Sequence, residues 1–340
     1  MNILVTGGCG FIGSHLIEML LKRYNDVRVD NIDCLTYCGN LKNTESFKDD
    51  KRYMFHQCNI SNAEMVRYIL KEQRIDTILN LAAQTHVCRS IKNPREFIDT
   101  DIYGTFTLAT ETLKSKTVKS LIHFSTDEVF GPIKHPMIAV ERSMLNPTSP
   151  YSASKASADL MLLSYFKTYG LPVSIVRPSN NYGIKQYPEK LIPTVITQLL
   201  KEEKVPVHGD GSPVREWLHV EDCCNAIVNL LNISKPGHIY NIGSGQRYSN
   251  LSIIISIIYL MTGYRGSSAI KYMNFINNRP GNDSRYAIDS TKLISLIGDY
   301  VEHKDMLDSL KFIVKWYSNN RDWWQDVDIS CNFHSENYLR

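Results

Sequence analysis

Four consecutive residues, Ser125-Thr126-Asp127-Glu128, close the apolar run Leu121-Ile122-His123-Phe124. Two hydroxyls followed by two acids at the end of a predicted strand form a group suited to moving protons. An acidic pair alone also suits a turn or a helix N-terminus, where the helix dipole favours negative charge, so the surrounding residues decide. Further along, Tyr151 and Lys155 open a predicted helix that runs to about Tyr169. Positions four apart share a helix face, which puts the ammonium beside the phenol. A phenol with a reference pKa near ~10 needs such a neighbour to act as a base at neutral pH, and the pair is a candidate base for an alcohol. With 19 tyrosines in the chain the spacing also arises by chance, and Tyr300 with Lys304 is a second instance. Only Tyr151 and Lys155 follow the acid-bearing strand.

The elements that must position these groups begin at the N-terminus. A short apolar strand over 2–6 runs into Gly7-Gly8-Cys9-Gly10-Phe11-Ile12-Gly13, and an amphipathic helix follows from about Ser14 to Arg23. Gly8, Gly10 and Gly13 fit G-x-G-x-x-G, while Gly7, Gly10 and Gly13 fit G-x-x-G-x-x-G. Either spacing permits a tight turn, brings backbone N–H groups to a pyrophosphate and packs the helix closely on its strand. A second strand over 27–32 ends at Asp33, where an acid suits the ribose hydroxyls of NAD, and no Arg follows to receive the extra phosphate of NADP. NAD is therefore the expected cofactor, with Asp30 a competitor for the ribose contact. Strand and helix patterns then alternate over 53–57, 63–72, 77–81, 94–113 and 120–125. Such repeats imply an α/β fold, a Rossmann-type doubly wound parallel sheet. Ligands of such sheets sit at the carboxyl ends of the strands. Those segments hold Asn59 and Ile60, Ala82 to Val87, the Ser125 to Glu128 group, and Pro178 to Asn181.

Composition narrows the function classes. The chain has 340 residues, 43% hydrophobic content and a net charge of +3, enough for one large core with a smaller lobe. No basic run is interleaved with aromatics, so no nucleic acid partner is expected. Residues 2–6 enter the first strand without a secretory leader. The longest apolar stretch, 253–261, is shorter than the ~20 residues of a membrane span and reads as a buried helix. The eight cysteines include no CxxC pair and no zinc-finger spacing, so no metal is expected. Reduced thiols and a cytoplasmic location are the expectation.

The motifs TGGCGFIGS, NIDCLTYCGN, NLAAQTHV, STDEVFG, YSASKAS, NNYGIKQYPEKLIP, HGDGSPVREWLHVED, YNIGSG and NRPGNDSRYAID span almost the whole chain. Together they resemble the extended short-chain dehydrogenase/reductase family, and within it the nucleoside-diphosphate-glucose 4,6-dehydratases. The adjacent Asp127 and Glu128 carry that distinction, since epimerases and decarboxylases of similar fold typically lack the pair. The resemblance implies a lyase acting on UDP-glucose or dTDP-glucose and giving the 4-keto-6-deoxyglucose nucleotide, an early step towards rhamnose or another deoxysugar. It implies Tyr151 as base at the C4 hydroxyl with Lys155 and Thr126 assisting, Glu128 as base at C5, and Asp127 as acid at the C6 hydroxyl. Elimination needs this division between one carboxylate and one carboxylic acid.

Cofactor contacts are expected from Gly7, Gly10, Phe11, Ile12, Gly13, Asp33, Asn59, Ile60, Ala82, Ala83, Tyr151 and Lys155. Substrate contacts are expected from Gln84, His86, Thr126, Asn180, Glu189, Lys190, Leu191, Arg215, Asn250 and Arg279, the two arginines suiting a diphosphate. The family is commonly dimeric through two long helices, here near 94–113 and 151–169, so a homodimer is expected. The NAD-binding domain is expected over 1–178 with returning segments near 217–243. A substrate lobe is expected over 179–216 and 244–325, and a polar tail over 326–340. Departures from the bacterial dTDP-glucose pattern are Gln84 and Thr85 for Glu and Ser, Asn282 for His, and Asn59 for Asp. AAQTHV and NRPxNDxRY resemble the eukaryotic branch more closely, which favours UDP-glucose. A 4-epimerase or decarboxylase is the rival enzyme; a catalytically silent NAD-binding scaffold is the non-enzymatic rival.

Overall fold

The chain begins with apolar strands that can be buried on both faces, and the sheet they form sets everything else. A computed structural model describes residues 1–303 and 305–327. In chain order the strands are β1 (Asn2–Thr6), β2 (Arg28–Asp33), β3 (Tyr53–Gln57), β4 (Thr77–Asn80), β5 (Ser120–Phe124), β6 (Val173–Pro178), β7 (Asn180–Tyr182), β8 (Val205–His208), β9 (Val214–His219), β10 (Ile239–Ile242), β11 (Arg247–Ser249) and β12 (Met273–Ile276). Seven of them form one sheet in the order β10-β6-β5-β4-β1-β2-β3. Every pairing in it is parallel. The order reverses at β1, which pairs with β2 on one side and β4 on the other. A crevice at the carboxyl ends of the strands follows from that reversal.

Several apolar cores hold the chain, one of them gathering Leu4, Ile32, Val66, Ile69, Leu108, Leu121 and Leu162 from the sheet and the helices beside it. Helices Phe11–Arg23 and Val220–Leu230 pack together over one face of the sheet, around Leu16, Leu20, Val220 and Ile227. A second core gathers Ile192, Val195, Ile253, Ile257, Leu310 and Tyr317 from helices Leu191–Leu200, Asn250–Thr262 and Met306–Asn319. The isoleucine-rich stretch of the sequence is thus a core helix, and among the described residues no single helix is long and apolar enough to cross a membrane. A three-stranded sheet, β11-β9-β7, and the parallel pair β12-β8 complete this part. Trp316, Tyr317 and Trp323 stack edge to face with centroids 5.0–6.1 Å apart, which is packing.

Several boundaries differ from the sequence reading. The first helix begins at Phe11 rather than Ser14, because Gly10 supplies the cap by backbone alone. A short helix, Val87–Lys92, had no clear periodicity. The stretch expected as one helix over 94–113 is helical without a break over 94–114, and carries a π-helical turn, Ile98–Gly104, between α-helical Pro94–Phe97 and Thr105–Lys114. The wider turn carries Asp101, which is fully buried. Tyr300 is buried and exchanges hydrogen bonds with the backbone of Gly243, while Lys304 lies outside the described residues, as does most of the expected tail.

The helix Pro150–Tyr169 is fixed at both ends. Ser149 and Ser152 form a capping box, Pro150 occupies the first turn and Gly170, at φ 71°, closes the helix in the left-handed region. Inside it, Asp159 meets Arg177 of β6, whose Nε and Nη2 each lie 2.9 Å from Asp159 Oδ2. Both side chains are out of water. Replacing one partner strands the other charge in the interior, which costs about 3–5 kcal/mol. Arg177→Met should therefore lower the urea unfolding midpoint by that much stability; an unchanged midpoint would show that the pair does not secure the helix.

Candidate active site

The site grows from the end of β5. Beyond Phe124, Ser125 donates to Asp159 Oδ2 at 3.0 Å and so joins the buried ion pair. Thr126 then caps a short 3-10 turn, Asp127–Phe130, with its hydroxyl accepting from the Glu128 amide at 3.2 Å. At the far end of that turn the Phe130 ring lies 4.9 Å beneath the Arg177 guanidinium. The two acids are therefore held in a turn tied down on both sides.

Electrostatics separates the acids and sets the phenol. Burial is the main cause pushing Asp127 well above the usual carboxylate range, with Glu128 and Glu216 adding to it and Arg215 and Thr126 opposing. Asp127 therefore holds its proton more tightly than a free carboxylic acid does, while its neighbour Glu128 is only half-buried. Tyr151 is buried, and burial, Glu128 and Asp101 hold its phenol well above its ordinary value, with the Thr126 hydroxyl pulling it down. Lys155 is buried as well, and burial lowers its ammonium against the pull of Asp101 and Asp159. The help expected from Lys155 is thus outweighed here by burial and by the carboxylates around the phenol.

One cleft of about 1530 Å³, open mouth included, runs along the carboxyl ends of the sheet. At one end it is lined by Gly7, Gly10, Phe11, Ile12, Gly13, Asp33, Asn59, Ile60, Ala82 and Ala83, and at the other by Gln84, Thr126, Asp127, Glu128, Tyr151, Lys155, Asn180, Glu189 and Lys190. The glycine loop fits a dinucleotide. Gly7 has φ +71°, and a Cβ on it would come 2.9 Å from Ala82 N; a Cβ on Gly13 would come 2.3 Å from Gly7 O. Helix Phe11–Arg23 starts with no side-chain cap, leaving its first N–H groups for an anion. Asp33 lines the cleft, whereas Asp30 is turned to His56 at 2.6 Å and lies outside it. Asn59 spends its carbonyl oxygen on Ser61, at 2.9 Å and 2.8 Å, so its NH2 is what remains for a ligand.

Other residues singled out in the sequence are placed differently. His86, Leu191, Arg215, Asn250 and Arg279 do not line this cleft. His86 caps helix Val87–Lys92 through Nδ1, Leu191 begins a helix of the second core, and Asn250 begins helix Asn250–Thr262. Arg215 is buried behind Asp127, with its guanidinium over the Tyr286 ring at 4.4 Å and Nη2 donating to Asn282 Oδ1 at 3.1 Å. The unusual Asn282 thus holds an arginine. Arg279 is half-buried, and its Nη1 meets no protein acceptor. Glu189 accepts from Tyr37 at 2.8 Å and pairs with Arg89 at 3.1 Å; Lys190 Nζ donates to Thr85 O at 2.6 Å.

No role was read for Asp101, Tyr286 or Asp283, although Asp283 and Tyr286 lie within the NRPGNDSRYAID motif. Asp101 accepts from the Gln84 amide at 2.8 Å and from Ser154 at 2.6 Å, beside Lys155. Its only sequence signal was an acid in an otherwise amphipathic helix. Elsewhere, among the described residues, His219, Glu221 and His303 place ligating atoms within 4.8 Å of one another. His303 engages Asp222 at 2.9 Å and Glu221 at 3.3 Å, which raises it to about 9, and its ring stacks on His219 at 3.7 Å. Stacked rings aim their lone pairs in parallel, so this group is accounted for by ion pairs.

The model of the GDP-mannose 4,6 dehydratase family matches residues 4–299. The chain is 36% identical over 350 residues to a dTDP-glucose 4,6-dehydratase of Escherichia coli, covering 96% of each chain. It is 39% identical over 328 residues to a trifunctional UDP-glucose 4,6-dehydratase/UDP-4-keto-6-deoxy-D-glucose 3,5-epimerase/UDP-4-keto-L-rhamnose-reductase of Arabidopsis thaliana. That match covers 96% of this chain and 48% of the plant protein, so the chain spans about half the length of that relative. Among solved structures, a dTDP-glucose 4,6-dehydratase of Streptomyces venezuelae crystallised with NAD superposes with a TM-score of 0.91 at 39% identity, covering 96% of this chain and 100% of that one.

Burial raises Asp101 from 3.8 to about 6. The folded chain then keeps a proton there that the unfolded chain releases, so this contribution to stability is present below about pH 4 and is lost as pH rises through about 6. Relative to Asp101→Asn, which does not titrate, the unsubstituted chain should lose about 3 kcal/mol between pH 4 and 7. Urea midpoints measured across that range check this, and a pH-independent difference would contradict it.

Proposed function

The chain belongs to the GDP-mannose 4,6 dehydratase family, and from that premise we propose that it is a nucleoside-diphosphate-glucose 4,6-dehydratase. The observation that carries this reading is a carboxylic acid beside a second carboxyl group in one turn, next to a buried Tyr-Lys pair and a dinucleotide loop. Gly7, Gly10, Phe11, Ile12, Gly13, Asp33, Asn59, Ile60, Ala82 and Ala83 would hold NAD, with Tyr151 and Lys155 at its reactive end. When bound, NAD supplies a reversible hydride acceptor for C4 and then a hydride donor for C6, and its cationic ring opposes the rise in the Tyr151 phenol.

The protein's own residues handle the protons. Thr126 orients the C4 hydroxyl and Tyr151 accepts its proton. Glu128 takes the proton from C5, which is acidic once C4 is a ketone. Asp127 gives its proton to the C6 hydroxyl, which leaves as water. Two carboxyls with environments that push them apart can serve as base and acid at one pH. Gln84, Asn180, Glu189 and Lys190 surround the sugar end of the cleft, and Arg215 stands behind Asp127 as the nearest guanidinium of the pair assigned to the diphosphate.

UDP-glucose is the preferred substrate over dTDP-glucose, on the motifs AAQTHV and NRPxNDxRY. A missing methyl changes binding by only ~1–3 kcal/mol, so the preference is modest. The product would enter rhamnose or other deoxysugar synthesis. A homodimer is proposed through the helical stretch 94–114 and helix Pro150–Tyr169, which leave Tyr103, Phe106, Leu113, Leu160 and Tyr169 exposed.

Incubation with each nucleotide sugar followed by mass spectrometry should show loss of one water, and no loss from any nucleotide-glucose would sink the proposal. Asp127→Asn and Glu128→Gln should each keep substrate binding and lose turnover by about 10²–10⁴-fold. Normal dehydration by either variant would overturn the acid and base roles. For the dimer, light scattering should give twice the chain mass, and Leu160→Glu should shift it to monomer.

A further inference from the structure

Behind Glu128, on the side away from the cleft, a chain of oxygens leads to the surface. Tyr286 Oη lies 3.5 Å from Glu128 Oε2 and 2.8 Å from Asp283 Oδ2, and Thr148 Oγ1 lies 2.7 Å from the same Oδ2. Tyr286 and Asp283 are buried, whereas Thr148 is exposed. None of the three lines the cleft. Resting on the dehydration reading above, we propose that the proton collected by Glu128 exchanges with solvent through Tyr286, Asp283 and Thr148.

The direction of the hydrogen bonds supports this route. Tyr286 has one proton, and the shorter contact gives it to Asp283. Its oxygen is then left with lone pairs towards Glu128, ready to accept once Glu128 is protonated. The ring is kept in place by the Arg215 guanidinium at 4.4 Å. The backbone is kept in register by β9: Val214 N donates to Ser284 O at 2.9 Å and Tyr286 N to Val214 O at 3.2 Å. Thr148 comes from the loop that leads into the helix bearing Tyr151, so the route joins two segments distant in sequence.

The proton steps balance. The C5–H bond breaks, its electron pair forms the C5=C6 double bond, and the C6 hydroxyl leaves as water with the proton from Asp127. The C5 proton forms an O–H bond on Glu128. As Glu128 passes it to Tyr286 Oη, Tyr286 passes its own to Asp283, and Asp283 gives it to water at the Thr148 end. Running the relay in reverse returns a proton to C5 and Glu128 to its carboxylate. Asp127 regains the proton it gave to the leaving water, balanced by the one that the C4 hydroxyl left on Tyr151. A nucleotide sugar seated in the cleft does not obstruct this path, because none of its members faces the ligand.

The test is the fate of the C5 hydrogen. Whichever nucleotide-glucose the enzyme dehydrates is supplied with ²H at C5 in ordinary water, and the product is quenched early and read by mass spectrometry and NMR. The unsubstituted enzyme should replace most of the label with ¹H. Tyr286→Phe and Asp283→Asn should still release water, more slowly, and retain a several-fold larger share of ²H at C5. The label ratio is counted per product molecule, so a loss of folded enzyme lowers the yield without moving the ratio. Asp283→Asn keeps the side-chain volume and carries the test if the phenylalanine variant folds poorly. Washout in both variants at the unsubstituted level, or full retention by the unsubstituted enzyme, would overturn the relay. Absence of water release by the unsubstituted enzyme would instead reject the dehydration reading itself.

Discussion

The ion pair between Asp159 and Arg177 has no access to water, and the site is assembled around it. Arg177 belongs to β6 and Asp159 to the helix that carries Tyr151 and Lys155. The same Asp159 oxygen accepts from Ser125, just before the acids, and the same guanidinium covers Phe130, just after them. One buried contact therefore registers the tyrosine helix, the acid-bearing turn and the sheet against each other. Such a pair adds little net stability over an apolar replacement, but breaking it is costly. Its effect is to permit only one relative placement of the three elements.

The second constraint is charge density. Asp127, Glu128, Glu216, Asp101 and Asp159 all influence the groups of one small region, and burial weighs on most of them. Carboxylates packed together out of water cannot all ionise, so Asp127, enclosed beside Glu128 and Glu216, is pushed towards keeping its proton. Glu216 is held by Arg247 at 2.7 Å and accepts from the Gly245 amide at 3.0 Å, which lets a fixed negative charge persist behind Asp127. The raised Asp127 thus follows from burial and from where neighbouring charges are compensated. The same crowding raises the Tyr151 phenol, which makes a positive partner in the cleft more consequential for its chemistry.

What was legible in the sequence was what local pattern controls. Glycine spacing after an apolar strand, the strand and helix alternation, and a Tyr-x-x-x-Lys at a capped helix start all depend on residues within one or two turns of each other. The reading of 94–113 as one helix holds but missed its π-helical turn, whose Asp101 reaches Gln84 and Ser154, residues distant in sequence. Arg215 and His86 were placed by motif, but long side chains go where partners are: Arg215 to Tyr286 and Asn282, His86 to its own helix N-terminus.

By itself the sequence determined the fold class, the glycine spacing of the dinucleotide loop, the two candidate acids Asp30 and Asp33 on the second strand, and the adjacency of Asp127 and Glu128, because each is set by short-range spacing and by the apolar runs that must be buried. Tertiary structure alone decided that burial and neighbouring charge raise Asp127, that Asp101 stands beside Lys155, and that Tyr286 and Asp283 stand behind Glu128. Those outcomes depend on desolvation and on charges brought together from β5, β9, the tyrosine helix and the segment after β12. No single stretch of chain contains that information, since burial is a property of the packed whole.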